Sequence, residues 1–169
     1  MTNLQKGLLL AAAQLALVAS LAAKYAIDRA RLPRVWVQTA AYDPSLPIRG
    51  RYVNFRLLVS TDEAYGSPQN LRRDWRDVTL SVRDGHLMAS PADHPTGLHV
   101  SPWRINQGGE VMALVEPVAF FLPEHAVDPS RRRAGQELWV EVTVPKTGPP
   151  RPIRLAIKQG DTFTPLGLR

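Results

Sequence analysis

"YDPSLPIRGRYVNFRLLV" occupies residues 42–59, and its second half decides the fold. From Val53 onward apolar residues recur at every second position (Val53, Phe55, Leu57, Val59), while Tyr52, Asn54 and Arg56 fall between them. A period of two sends alternate side chains to opposite faces of an extended chain, so the pattern predicts a strand with one face buried. The residues in front of it are punctuation. Pro44 and Pro47 have no N–H to give to a ladder and must lie outside a central strand, and Asp43 before Pro44 favours a turn. Gly50 supplies access to positive φ just where the strand begins.

Working outward, the same period recurs. Val35, Val37, Thr39 and Ala41 alternate with Trp36, Gln38, Ala40 and Tyr42. Val78, Leu80 and Val82 share a face and lead into Asp84-Gly85, a two-residue signal for a type I′ hairpin. "LHVSPWRI", "EVMALVE" and "VAFFLPE" predict three more strands, with Gly108-Gly109 turning between the first two and Pro123 ending the third. Leu138, Val140, Val142 and Val144 face one way, "PKTGPPRP" reverses the chain, and Ile153, Leu155 and Ile157 alternate back toward Gly160-Asp161. Residues 60–77 read as a loop with a helical turn over 69–75, and 123–136 as a short helix or structured loop. Short strands parted by turns, with no alternation of helix and strand, predict a mainly β domain over 33–169, an antiparallel sandwich or small barrel.

The first 32 residues are of another kind. "GLLLAAAQLALVASLAA", residues 7–23, holds no charge and is rich in Ala and Leu, both strong helix formers. As a helix it spans about 26 Å, and continuing through Tyr25 and Ile27 with Lys24 snorkelling completes a bilayer crossing. An uncleaved membrane helix is expected; cleavage after Ala22 is the alternative, because Ser20 and Ala22 are small residues at the positions a signal peptidase reads. Orientation is contested. A short basic start before an apolar run is signal-like, yet Lys24, Arg29, Arg31 and Arg34 outweigh Lys6 and the amino terminus by the positive-inside rule.

Composition narrows the chemistry. At 169 residues, 44% hydrophobic and 21% charged, the chain is ordinary for a folded domain and not for a disordered one. The absence of cysteine excludes disulfides, thiol catalysis and thiolate metal sites. His86, His94, His99 and His125 reproduce no two-histidine zinc spacing, so surface loop positions are expected for them and no metal site is predicted. Ser45 has no base in reach of it in sequence, the next lysine being Lys146, and no phosphate cradle occurs. No catalytic residue and no cofactor are predicted. A net charge of +6 and two basic clusters, Arg72–Arg73–Arg76 around Trp75 and Arg131–Arg133, suit a lipid surface or solvated loops; no nucleic-acid module accompanies them.

The opening stretch also resembles the defining segment of the GDYXXLXY protein family, a bacterial group with an N-terminal membrane segment. Asp43-Pro44, Gly50 and Tyr52 match its motif, and Phe55 and Leu57 take the places of its Leu and final Tyr, while Arg51 stands where the family has Asp. "FFLPEHA" is similar to its aromatic-Ile-Pro-Glu segment, placing Pro123 and Glu124, and residues 138–161 resemble its terminal hairpin. The resemblance implies a domain anchored in the cytoplasmic membrane and displayed outside it, often beside multi-pass membrane partners, with no assigned activity. The functional expectation is a noncatalytic envelope domain that binds a membrane protein or other envelope component. The competing class, an envelope hydrolase or processing enzyme using Asp43, Glu124 or a histidine, requires two such groups to converge in a pocket.

Overall fold

The computed structural model describes residues 2–41, 52–61, 76–105, 109–123, 129 and 135–167. The chain divides into two compact units, Met1–Leu32 and Pro33–Arg169.

The first unit is one helix, α1 (Asn3–Arg31), about 43 Å long at 1.5 Å per residue. It opens on a capping box. The Gln5 amide donates to Thr2 Oγ1 at 3.3 Å, and the Thr2 amide donates back to Gln5 Oε1 at 2.8 Å, which satisfies two backbone donors of the first turn. It ends before Pro33, which pushes Leu32 into the extended region at φ −70°, ψ 147°. None of its residues is buried, and Leu15 and Leu17 are 70% and 71% exposed. By length and apolarity α1 can cross a membrane.

Among its described residues the second unit carries ten strands: β1 (Arg34–Ala41), β2 (Tyr52–Thr61), β3 (Arg76–Arg83), β4 (His86–Pro91), β5 (His99–Arg104), β6 (Glu110–Leu114), β7 (Val118–Phe121), β8 (Gln136–Thr143), β9 (Arg151–Gln159) and β10 (Thr162–Pro165). Its hub is β2, the strand read first from the sequence. One edge of β2 pairs with β1 through Phe55–Leu57 and then with β4 at Ser60 and Thr61. The other edge pairs with β7 through Tyr52–Phe55 and then with β6 at Leu58 and Val59. Because β6 also pairs with β5, β5 with β3 and β3 with β4, the pairings return to β2 and close a ring of five strands. From β1 the sheet extends outward through β8 and β9 to β10.

The architecture is mainly β, with one N-terminal apolar helix. One pair departs from antiparallel: β2 and β4 run parallel, because the chain reverses in the β3–β4 hairpin before β4, not β3, takes the place beside β2. That hairpin turns at Asp84-Gly85 with φ of 50° and 74°, positive at both central residues as a type I′ turn requires. The β8–β9 ladder shifts register between Glu141 and Val142, which face Arg154 and Pro152. The extra residue, Ile153, forms a bulge beside Pro152, a place where a residue without an N–H is tolerated.

A single apolar cluster fills the unit. Phe55 and Leu57 of β2, Val78 of β3, Val100 of β5, Leu114 of β6, Val140 and Val142 of β8 and Leu155 of β9 are its most deeply buried members. The alternation along β2 is complete: Val53, Phe55, Leu57 and Val59 are buried and their neighbours are not. Each buried Leu or Phe of this kind contributes about 1.5–3 kcal/mol relative to its exposed state.

Candidate functional site

Of the residues singled out by the motif, Tyr52, Phe55, Leu57 and Pro123 are described, and these four do not gather in one site. Phe55 and Leu57 are core residues, 1% and 0% exposed, so no ligand reaches them. Tyr52, on the opposite face at the start of β2, is 55% exposed and packs edge-on against Phe121 of β7, with ring centroids 5.4 Å apart. Pro123 follows buried Leu122 and is itself half-buried. Asp43, Pro44, Gly50 and Glu124 lie outside the described residues, as do Arg51, His125, Arg72, Arg73, Trp75 and Arg131–Arg133.

The described histidines, His86, His94 and His99, separate. His86 starts β4 and is exposed, and His94 is exposed in the connection between β4 and β5. His99, which falls within the predicted strand "LHVSPWRI" although a surface position was expected for it, opens β5 and is half-buried between two carboxylates. Strand register makes the cluster, for His99 is the direct partner of Asp77 on β3. On the other side, Glu116 sits in the bend between β6 and β7, where two extra residues bulge against β2. Its carboxylate accepts the His99 backbone N–H at 2.9 Å and lies 2.6 Å from His99 Nδ1. The Val115 amide donates to the His99 carbonyl at 2.9 Å. His99 Nε2 is 3.8 Å from Asp77 Oδ1.

Asp77 Oδ1 in turn accepts from the amides of Thr96 at 2.9 Å and Gly97 at 3.3 Å, and from the Thr96 hydroxyl at 3.3 Å. The Thr96 amide, above all, holds the Asp77 carboxyl below its ordinary value of 3.8. Partial desolvation acts against it, while the Gly97 amide, the His99 charge and the Thr96 hydroxyl reinforce it. Chemically, both ring nitrogens of His99 look at carboxylates. A catalytic base needs one nitrogen turned to the proton it removes; this ring ties β3, β5 and the β6–β7 bulge together. Among the described residues no group of three or more His, Asp or Glu is arranged to hold a metal ion.

Beside this network lies a cavity of about 370 Å³. Val78 and Leu80 of β3, Leu98, and the turn between β8 and β9 at Pro145–Gly148 enclose it, with His94, Thr96 and Lys146 among its polar lining. Thr96 belongs to both features, since its hydroxyl also donates to the Val78 carbonyl at 2.9 Å.

The outer face of the β1–β8–β9–β10 extension carries a third cluster. Phe163 packs edge-on against Trp36 and Trp139, with centroids 4.8 and 6.2 Å away. Arg154 lies over Trp36 at 5.3 Å and Lys158 over Trp139 at 5.4 Å. Arg154 Nε also donates to the buried carboxylate of Glu141 at 2.6 Å. These cations are thus engaged with the sheet's own rings and carboxylate.

Sequence reasoning missed Asp77, Glu116 and the place of Lys146, because cross-strand register and a turn, with no fixed spacing, bring them to their neighbours. Comparison with protein-family models, with curated proteins and with solved structures finds no match to this chain.

Proposed function

We propose that the chain is a noncatalytic, single-pass protein of the cytoplasmic membrane whose β unit, displayed outside the cytoplasm, binds a membrane-protein partner or another envelope component. The observation that carries this reading is α1: a 29-residue helix with an uncharged, apolar stretch over residues 7–23 and no buried residue. In water such a helix leaves its whole side-chain surface unpaid by any packing, whereas a bilayer covers it. The capping box at Thr2 and the stop at Pro33 give the helix defined ends, which favours a retained anchor over a leader removed after Ala22. The resemblance of residues 43–57 to an anchored envelope family supports display outside the cytoplasm, as does the short basic start before the apolar run.

The noncatalytic part rests on the site geometry. Two motif residues are buried packing, and His99, the one half-buried histidine among the described residues, is held between carboxylates.

The test is fractionation of cells expressing the full chain, with carbonate washing and photo-crosslinking from an exposed position such as Tyr52. Retention of the intact chain in washed membranes, with a discrete crosslinked membrane protein, is the expected result. A soluble product lacking about the first 22 residues would overturn the anchor, and retention without any specific crosslink from several exposed positions would overturn the partner.

A further inference from the structure

We infer that two copies of the chain associate through α1, with the Gln14 side chains of the two helices hydrogen-bonded to each other inside the bilayer. The inference rests on the reading of α1 as a membrane anchor. Gln14 stands near the middle of the uncharged stretch 7–23, about 10 Å along the helix from Gly7 and about 13 Å from Ala23. At that depth water is excluded, and a carboxamide left without a partner in hydrocarbon is costly. The other polar groups of the stretch and its flanks are provided for. Ser20 Oγ donates to the Leu17 carbonyl of its own helix at 2.8 Å, and Thr2 and Gln5 close the capping box. Lys6 and Lys24 stand at the two ends, within reach of the headgroups. Gln14 differs: among the described residues its side chain makes no hydrogen bond, and it is exposed on the helix surface.

A second copy meets this need by symmetry. Single-pass chains of one sequence enter the membrane in one direction, so two copies lie parallel and bring residue 14 to the same depth. A carboxamide holds both donors and an acceptor, so two of them satisfy each other about a two-fold axis with no further residue. Gln14 also selects the face. Leu10, Gln14, Leu17 and Leu21 follow at steps of four, three and four residues, which keeps them on one side of a helix and is the spacing of a parallel two-helix seam. Those leucines are 61%, 71% and 53% exposed, so they have surface to give. Leucines elsewhere on α1 pack as well against lipid as against protein, so the amide fixes the register. Beyond Leu21 the same steps reach Lys24 and Asp28, whose like charges would face each other across the axis. The seam is therefore confined to residues 10–21, and the association is reversible.

The chain has no cysteine, so single cysteines report the contact in membranes of cells expressing the full chain. Leu10→Cys, Leu17→Cys and Leu21→Cys probe the seam, and Ala12→Cys, Ala16→Cys and Ala19→Cys the opposite side of the helix, each oxidised with copper-phenanthroline after carbonate washing. A disulfide-linked product of twice the chain's mass is expected from the seam positions and little of it from the others. Gln14→Leu, added to Leu17→Cys, keeps α1 apolar and inserted and should slow the crosslink about three- to tenfold, while Gln14→Asn should retain most of it. Equal crosslinking from both sides, or indifference to Gln14→Leu, would overturn the proposal. So would a seam crosslink to a different membrane protein in place of a second copy. Washed membranes that hold only the uncrosslinked chain would overturn the pairing and leave the anchor standing, whereas a soluble chain would overturn both.

Discussion

The helix and the β unit are built from the same apolar residues and treat them in opposite ways. Leu15 and Leu17 of α1 are 70% and 71% exposed, while Leu57, Leu114 and Leu155 of the β unit are 0–1% exposed. The difference is one of periodicity and partners. Strands with period-two patterns find other strands of the same chain to cover their apolar faces, and β2 alone pairs with four of them. The uncharged stretch of α1 over residues 7–23 has little polar surface to turn to water and finds no cover in its own unit. Composition alone therefore says little; the period says which environment each stretch is made for.

The contrast breaks most easily at the core. Leu57→Ala should destabilise the β unit by about 2–5 kcal/mol, whereas Leu15→Ala in α1 should leave its denaturant midpoint unchanged. Tryptophan fluorescence during urea unfolding reads both, since Trp36, Trp103 and Trp139 all lie in the strands. An equal effect of the two substitutions would show that the units do not behave separately.

A charge reverses the emphasis. Leu15→Arg, near the middle of α1, should cost about 2.5–3.5 kcal/mol of membrane insertion and deplete the carbonate-resistant pool. The β unit's unfolding should not respond. Next in size is Gly85→Val, which forces a β-branched residue into positive φ at the β3–β4 turn. A loss of about 1–2 kcal/mol in the same urea assay is expected.

The smallest effect sharpens the account of the Asp77–His99–Glu116 tie. Because Asp77 titrates lower folded than unfolded, its contribution is fully present above the ordinary value of 3.8 and fades as pH falls through the lower folded value. Asp77→Asn should therefore lower the melting temperature at pH 7, and the gap to the parent chain should close as the pH drops below 3.8. A gap that persists in acid would mean that shape, and not charge, matters at Asp77.

Much of the fold was legible because β2 alternates strictly, Val78, Leu80 and Val82 of β3 and Leu138, Val140 and Val142 of β8 recur at every second position, and Asp84-Gly85 announces its own turn. β10 was not, since all four of its residues are exposed and no apolar alternation marks it. The bulge at Glu116 and the placing of β4 beside β2 escaped for a different reason: they depend on pairings between residues far apart in the chain. The same holds for the site. His99 was visible as a histidine, but its carboxylate partners come from β3 and from the bend after β6, and register alone joins them. Phe55 and Leu57, flagged as motif positions, proved to be core because the strand period already required it.

The measurement that tests the central claim most directly uses the absence of cysteine from the chain. A single cysteine placed at the exposed β9–β10 turn, Asp161→Cys, gives one thiol in the β unit to probe with a membrane-impermeant maleimide. Labelling in intact bacterial cells, on a chain that stays with the membrane, is the result expected of an anchored domain displayed outside the cytoplasm. Labelling only after lysis would contradict it and would mean that Lys24, Arg29, Arg31 and Arg34 hold the β unit on the cytoplasmic side.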